Sequence, residues 1–111
     1  MEKKLPSAYR RFTTEHPRLG EAYERLSDAT LTEGPLGRKQ AELVKIGIAV
    51  GARLEGAVHA HVRRARDAGA GADEIRHAIR LALTTIGFPG MMAALAWAND
   101  VLEPETREVP A

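Results

Sequence analysis

The stretch that decides the fold is ELVKIGIAVGARLEGAVHAH, residues 42–61. Residues 43–54 are almost all apolar or small, which predicts a helix buried over most of its circumference rather than along one stripe. Ionisable residues are set into this apolar pattern. Steps of three or four place an acid and a base at opposite ends of one helical face, which carries Glu42, Ile46, Ala49 and Arg53.

A second helix is predicted after a tight corner at Glu55 and Gly56. His61 shares an apolar face of this helix with Val58, Val62 and Ala65, whereas His59 falls on the face that carries Arg63 and Arg66. His61 is therefore predicted to point inward and His59 outward. Glu42 lies about 18 Å of helical rise from residue 54. The second helix runs back along the first by only roughly 8–10 Å before it reaches His61. Glu42 and His61 are thus expected to border one cleft, with water as one way to join them.

Two purely structural explanations stay open. Arg38, Glu42 and Lys45 are spaced four and three residues apart, so Glu42 can belong to a solvated ion-pair cluster at a helix end. An inward histidine is also more often a hydrogen-bonded core residue than a catalyst. Spacing alone does not decide between these explanations and a functional site.

Length and composition predict one domain over residues 1–111, with an N-terminal arm at 1–16 and a tail at 104–111. Such a chain is short for a buried active site of its own, and oligomerisation would solve that problem. An apolar content of 44% and a net charge of +1 give no case for nucleic acid or a membrane as a partner. Residues 38–66 nevertheless hold seven Lys or Arg against two Glu. A small anionic ligand fits there, although solvated helix faces would explain the same count.

The chain contains no cysteine, which excludes thiol chemistry, disulfides and cysteine-ligated metal. No glycine-rich phosphate loop is present, and we expect neither a metal nor a cofactor. The start of the chain lacks a signal-peptide pattern, and Pro89 and Gly90 interrupt the longest apolar run. These features predict a cytoplasmic protein.

Helical periodicity without any strand pattern predicts an all-α fold. Helices are expected around residues 9–12, 19–29, 36–53, 57–68, 75–86 and 91–102. The helix at 19–29 is amphipathic and should pack by one face, and His77 falls off the apolar stripe of its helix and should be exposed. The last helix is apolar nearly all round. In a domain of this size another subunit is the expected cover, so the chain is predicted to be a homo-oligomer.

Several short motifs follow one another in a recognisable order. They are GPLGRKQAELV at 34–44, AHV at 60–62 with Ala65 and the Ala68-Gly69 pair, DEI at 73–75, and the GFP break at 87–89. This order resembles the carboxymuconolactone decarboxylase family, which includes the alkylhydroperoxidase D-like proteins, over roughly residues 12–102. The resemblance implies an all-helical protomer with a central helical hairpin, assembled as a trimer or hexamer on threefold symmetry, with its active site near a subunit interface.

In the peroxidase-like branch, a Cys-x-x-Cys motif lies seven and four residues before the matched histidine, and a glutamate lies twelve residues before the first cysteine. The resemblance makes Glu42 the glutamate and His61 the histidine. Leu54 and Ala57 occupy the cysteine positions, and neither can supply the thiolate that attacks peroxide. A thiol peroxidase is therefore disfavoured.

Two functions remain. The preferred one is a non-redox enzyme acting on a small carboxylate or lactone, with His61 as proton donor or acceptor, Glu42 as its orienting group or a second base, and Arg53 as a carboxylate clamp. The alternative is a catalytically inactive, cysteine-less relative that acts as an oligomeric binding or structural protein. In that case Glu42 and His61 should be paired with protein partners and have no accessible pocket.

Overall fold

Residues 7–104 of the chain are described in a computed structural model, and all regular elements among them are helices. The all-α prediction is thereby confirmed. The first six residues of the predicted arm and residues 105–111 of the predicted tail lie outside the described residues. The helices are α1 Ser7–Glu15, α2 Pro17–Thr32, α3 Arg38–Ala52, α4 Glu55–Asp67, α5 Ala72–Arg80, α6 Leu83–Ile86 and α7 Phe88–Leu102.

The described part of the chain divides into two compact units, one before and one after the boundary between Pro35 and Leu36. In the first unit, α1 and α2 approach closely at Gly20, where a Cβ atom would stand 3.0 Å from Thr13 Cγ2. The α2 helix is amphipathic as predicted, but most of its apolar face is exposed, and Leu31 near its end is its one buried large apolar side chain. Leu19, Tyr23 and Leu26 are each more than half exposed, because α1 packs on the Gly20 side of α2 instead.

The second unit holds the core, and a hairpin of α3 and α4 lies at its centre. Arg53 makes the corner between them. It adopts the left-handed conformation (φ 61°) and its backbone N–H donates to the carbonyls of Ala49 and Val50, which ends α3. The α4 helix lies against α3 and α7, and α5 also packs on α3 and α7. The largest fully buried apolar side chains are those of Ile46, Val50, Val58, Val62, Ile75 and Ile79.

The α3 helix is not buried all round, contrary to the sequence prediction. Val44 and Ile48 are 50% and 65% exposed. The opposite face of α3 meets α4 and α5, so this stripe has no partner among residues 7–104. A groove of about 540 Å³ lies beside it, lined by Val44, Gly47 and Gly51 of α3 and by residues of α5, α6 and the turn between them. His77 lines this groove and is exposed, as expected.

The single helix expected at 75–86 is two helices. Hydrogen bonds from Ala82 N to Ile79 O and from Thr85 N to Ala82 O span three residues instead of four, so the chain tightens between α5 and α6. The apolar period continues through this tightening, which is why the sequence pattern did not reveal it. The break lets α6 turn onto α7, with which it packs.

Glu74 gives the stability of this unit an expected pH dependence. Its Oε1 accepts a hydrogen bond from Gly71 N (2.9 Å) and its Oε2 accepts one from Lys39 Nζ (3.1 Å). The bond from the Gly71 backbone, and then the one from Lys39, lower the pKa of Glu74 from its ordinary value of 4.5. A lowered folded-state pKa adds stability that is present above the unfolded value and is lost as the pH falls through the folded one.

We therefore expect Glu74→Gln to lower the melting temperature at neutral pH. Below about pH 4.5, the ordinary pKa of the carboxyl, the melting temperature of the variant should fall less steeply with pH than that of the wild type. Glutamine keeps an acceptor for Gly71 N but loses the charge that faces Lys39. Melting curves recorded across the acid range test this. Glu21→Gln, an exposed change in the first unit, is the control. Parallel pH profiles for wild type and Glu74→Gln would contradict the assignment.

Candidate functional site

Glu42 and His61 are in direct contact. Glu42 Oε1 lies 2.8 Å from His61 Nδ1, and the two side chains are 1% and 18% exposed. The burial of Glu42 rules out the solvated ion-pair cluster. No water is needed to join the two residues, because two long side chains reach across the hairpin in addition to the rise along the helix axes.

The contact fixes the chemistry of the imidazole ring. A carboxylate can only accept hydrogen bonds, so with Glu42 ionised Nδ1 carries the proton and Nε2 keeps the lone pair. Nε2 has no hydrogen-bond partner among residues 7–104, and no buried side-chain nitrogen or oxygen there lacks one. Nε2 therefore reaches solvent. The pair presents an oriented, accessible nitrogen that can take up or deliver a proton.

A basic residue follows each member of the pair, three positions further along its helix. Lys45 lies three residues after Glu42 on α3, and Arg64 lies three residues after His61 on α4; both are half-buried. Residues at this spacing are neighbours on a helix surface. The spacing therefore puts a basic residue near each member of the pair on its own helix.

Arg53 is not brought to the pair within one chain. It lies at the far end of α3, roughly 16 Å of helical rise from Glu42. Its Nη2 points toward the start of α7, 3.7 Å from the position a Cβ atom would take at Gly90. Its side chain makes no hydrogen bond or ion pair with any other residue between 7 and 104. Its role as a carboxylate clamp stays a prediction.

His59 does not point outward as predicted. Its side chain is 25% exposed, and its Nε2 lies 2.9 Å from Asp100 Oδ2 on α7. The α4 helix lies between α3 and α7, so it presents one histidine to each neighbour. Asp100 is not among the site residues predicted from the sequence. The signal was the pair Asn99-Asp100, which breaks the otherwise apolar pattern of the last helix.

Glu42 and His61 line neither of two clefts on the described part of the chain. The first is the groove between α3 and the α5–α6 segment. The second, of about 520 Å³, lies within the first unit between α1 and α2 and is lined by residues such as Tyr9 and Glu24. The Tyr9 hydroxyl donates a hydrogen bond to the Glu24 carboxylate at its edge.

The fold and the pair define a cysteine-free, all-helical hairpin protein with a buried glutamate bonded to a histidine. Residues 17–100 match the model of the carboxymuconolactone decarboxylase family, and the chain belongs to this family. The fold is similar to the crystal structure of apo-lpg0406, a carboxymuconolactone decarboxylase family protein from Legionella pneumophila. That similarity has a TM-score of 0.73 at 22% identity and covers 88% of this chain and 87% of the other. No curated protein sequence matches the chain.

None of the helices among residues 7–104 has the length and apolar character needed to cross a membrane.

Proposed function

We propose that the protein is a non-redox enzyme that uses general acid–base chemistry on a small anionic substrate, a carboxylate or a carboxylated lactone. The observation that carries this proposal is the 2.8 Å contact between Glu42 Oε1 and His61 Nδ1, which leaves Nε2 open to solvent. A buried carboxylate that holds a histidine in one tautomer is a recurrent way to orient a proton-transfer group.

Decarboxylation is an example of a reaction in which the Glu42–His61 pair would transfer a proton. When the C–C bond to the substrate carboxylate breaks, CO₂ leaves and the bonding electrons stay on the substrate carbon. Protonated His61 delivers the Nε2 proton to that carbon and recovers a proton from solvent, while Glu42 stabilises the charged ring. Lys45 and Arg64 supply positive charge near the substrate carboxylate. Arg53 would reach the substrate only from a second copy of the chain.

Peroxide reduction through thiols has no place in this proposal. The full sequence contains no cysteine, and Leu54 and Ala57 stand where the peroxidase-like branch carries its two thiols. Neither side chain can form the sulfenate and disulfide that such a reaction requires.

An oligomeric binding or structural protein is the second candidate. It is favoured by the mutual pairing of Glu42 and His61 and by their absence from the lining of the two clefts. In this case the pair is a buried cross-link between α3 and α4. For either candidate we place the protein in the cytoplasm.

The test is a panel of small carboxylates and carboxylated lactones, carboxymuconolactone among them, followed by CO₂ release and by NMR of the products. Wild type should convert at least one member, and His61→Gln should not. If wild type binds none of the panel in NMR titrations and converts none, the enzyme proposal fails and the structural candidate replaces it.

A further inference from the structure

Within residues 7–104, three side chains with metal-binding atoms converge at one place outside the Glu42–His61 pair. Glu55, His59 and Asp100 each offer one ligand atom, and these atoms all lie within 4.8 Å of one another. His59 Nε2 is 2.9 Å from Asp100 Oδ2 and 4.0 Å from Glu55 Oε2. We propose that this cluster is a binding site for a divalent cation of the Zn²⁺ type, which holds the first turn of α4 to the end of α7.

The donor set selects the class of cation. One imidazole nitrogen and two carboxylate oxygens suit Zn²⁺ and similar transition metals, whereas Ca²⁺ and Mg²⁺ prefer oxygen ligands alone. Two carboxylates also balance the charge of a divalent ion. Three protein ligands leave a position for water, as in many zinc sites with an open coordination position.

The geometry needs little adjustment. Zinc bonds of about 2.0–2.1 Å to nitrogen and oxygen imply roughly 3.4 Å between two ligand atoms in a tetrahedral site. The separations of 2.9 Å and 4.0 Å from His59 bracket that value, and the third, between Glu55 and Asp100, is at most 4.8 Å. The Glu55 side chain is 56% exposed and can move toward His59 without displacing packed atoms.

The backbone positions of the three ligands are held by the core. Glu55 and His59 lie four residues apart on α4, the spacing that puts two ligands on one helical face. His59 follows the buried Val58, and Asp100 lies two residues after the buried Ala98 on α7. Because α4 and α7 pack directly, the cluster is formed before any cation binds. Its function would be to stabilise the α4–α7 contact, which departs from the expectation of a protein without metal.

The test uses tag-free full-length protein stripped with a chelator and then titrated with Zn²⁺ by calorimetry, with Co²⁺ absorption as a report on ligand geometry. We expect one Zn²⁺ per protomer and a rise in melting temperature on the order of 10 °C at a free Zn²⁺ concentration about 100 times the Kd. Mg²⁺ should produce no such rise.

His59→Gln and Asp100→Asn should each weaken Zn²⁺ binding at least about tenfold, since loss of an outer-shell partner alone typically costs that much. Glutamine at 59 can still donate a hydrogen bond to Asp100, so the fold should persist, and circular dichroism checks this. His77→Gln, which changes an exposed histidine outside the cluster, should bind as wild type does. Undiminished binding by both cluster variants, loss of binding in His61→Gln, or no Zn²⁺ binding by wild type would each overturn the proposal.

Discussion

Glutamine in place of His61 is expected to lower turnover of any substrate found in the panel by about 10²–10⁴-fold, the usual contribution of a positioned acid or base. Glutamine keeps much of the side-chain volume and can still hydrogen-bond to Glu42, but it cannot carry a proton to the substrate. The melting temperature should change little, because the glutamine amide can still donate a hydrogen bond to the buried Glu42 carboxylate.

Glu42→Gln should act through His61. An amide can donate as well as accept, so it no longer fixes the proton on Nδ1, and it does not stabilise the charged ring. We expect turnover to fall by at least tenfold, on the order of 10²-fold, and the double variant to lose little beyond His61→Gln because the two residues work as one unit. Steady-state kinetics of the four proteins measure this coupling.

His16→Gln is the matched control for this pair of variants. His16 is exposed, lies in the first unit and contacts Phe12. Additive losses in the double variant would show that Glu42 and His61 act separately. Full turnover in both single variants would remove the pair from the mechanism.

Ile48→Glu is expected to convert an oligomer into monomers. We propose a homo-oligomer on threefold symmetry, a trimer or a hexamer, because apolar side chains of α3 and α7 have no cover among the described residues. Ile48 is 65% exposed, and Phe88 and Met92 are 59% and 45% exposed. A glutamate buried unpaired in such an interface carries a large desolvation cost, whereas in a monomer it would simply face water.

Light scattering at micromolar concentration tests the assembly. Wild type should have three or six times the protomer mass of 12.1 kDa, and Ile48→Glu should have the protomer mass alone. Gln40→Glu is the control, since it adds the same charge at an exposed position of α3 and keeps an acceptor for Gly37 N. A monomeric wild type would contradict the predicted oligomer. An unchanged mass for Ile48→Glu would show that the interface does not include this face of α3.

The sequence by itself determined the helical class, the α3–α4 hairpin and the inward side of α4. These features depend on local spacing: apolar residues at steps of three and four mark a buried helix face, and the Glu55-Gly56 pair indicates a tight corner. The structure places that corner two residues earlier, at Arg53 and Leu54, so that Glu55 and Gly56 already belong to α4. The same logic gave His61 an inward position, since its neighbours Val58 and Val62 are fully buried. The family could also be predicted, because its motifs are short stretches at fixed spacing.

The tertiary structure decided the features that depend on which elements meet. His59 lies half-buried on Asp100 because α7 covers that face of α4, and a contact across 41 residues has no local signal. The break between α5 and α6 is a change in backbone hydrogen bonding that the apolar period does not register. Apolar patterning indicates which face of a helix should be covered, but not whether the cover comes from the same chain. Leu19 on α2 and Ile48 on α3 are therefore apolar by sequence and exposed in the single chain.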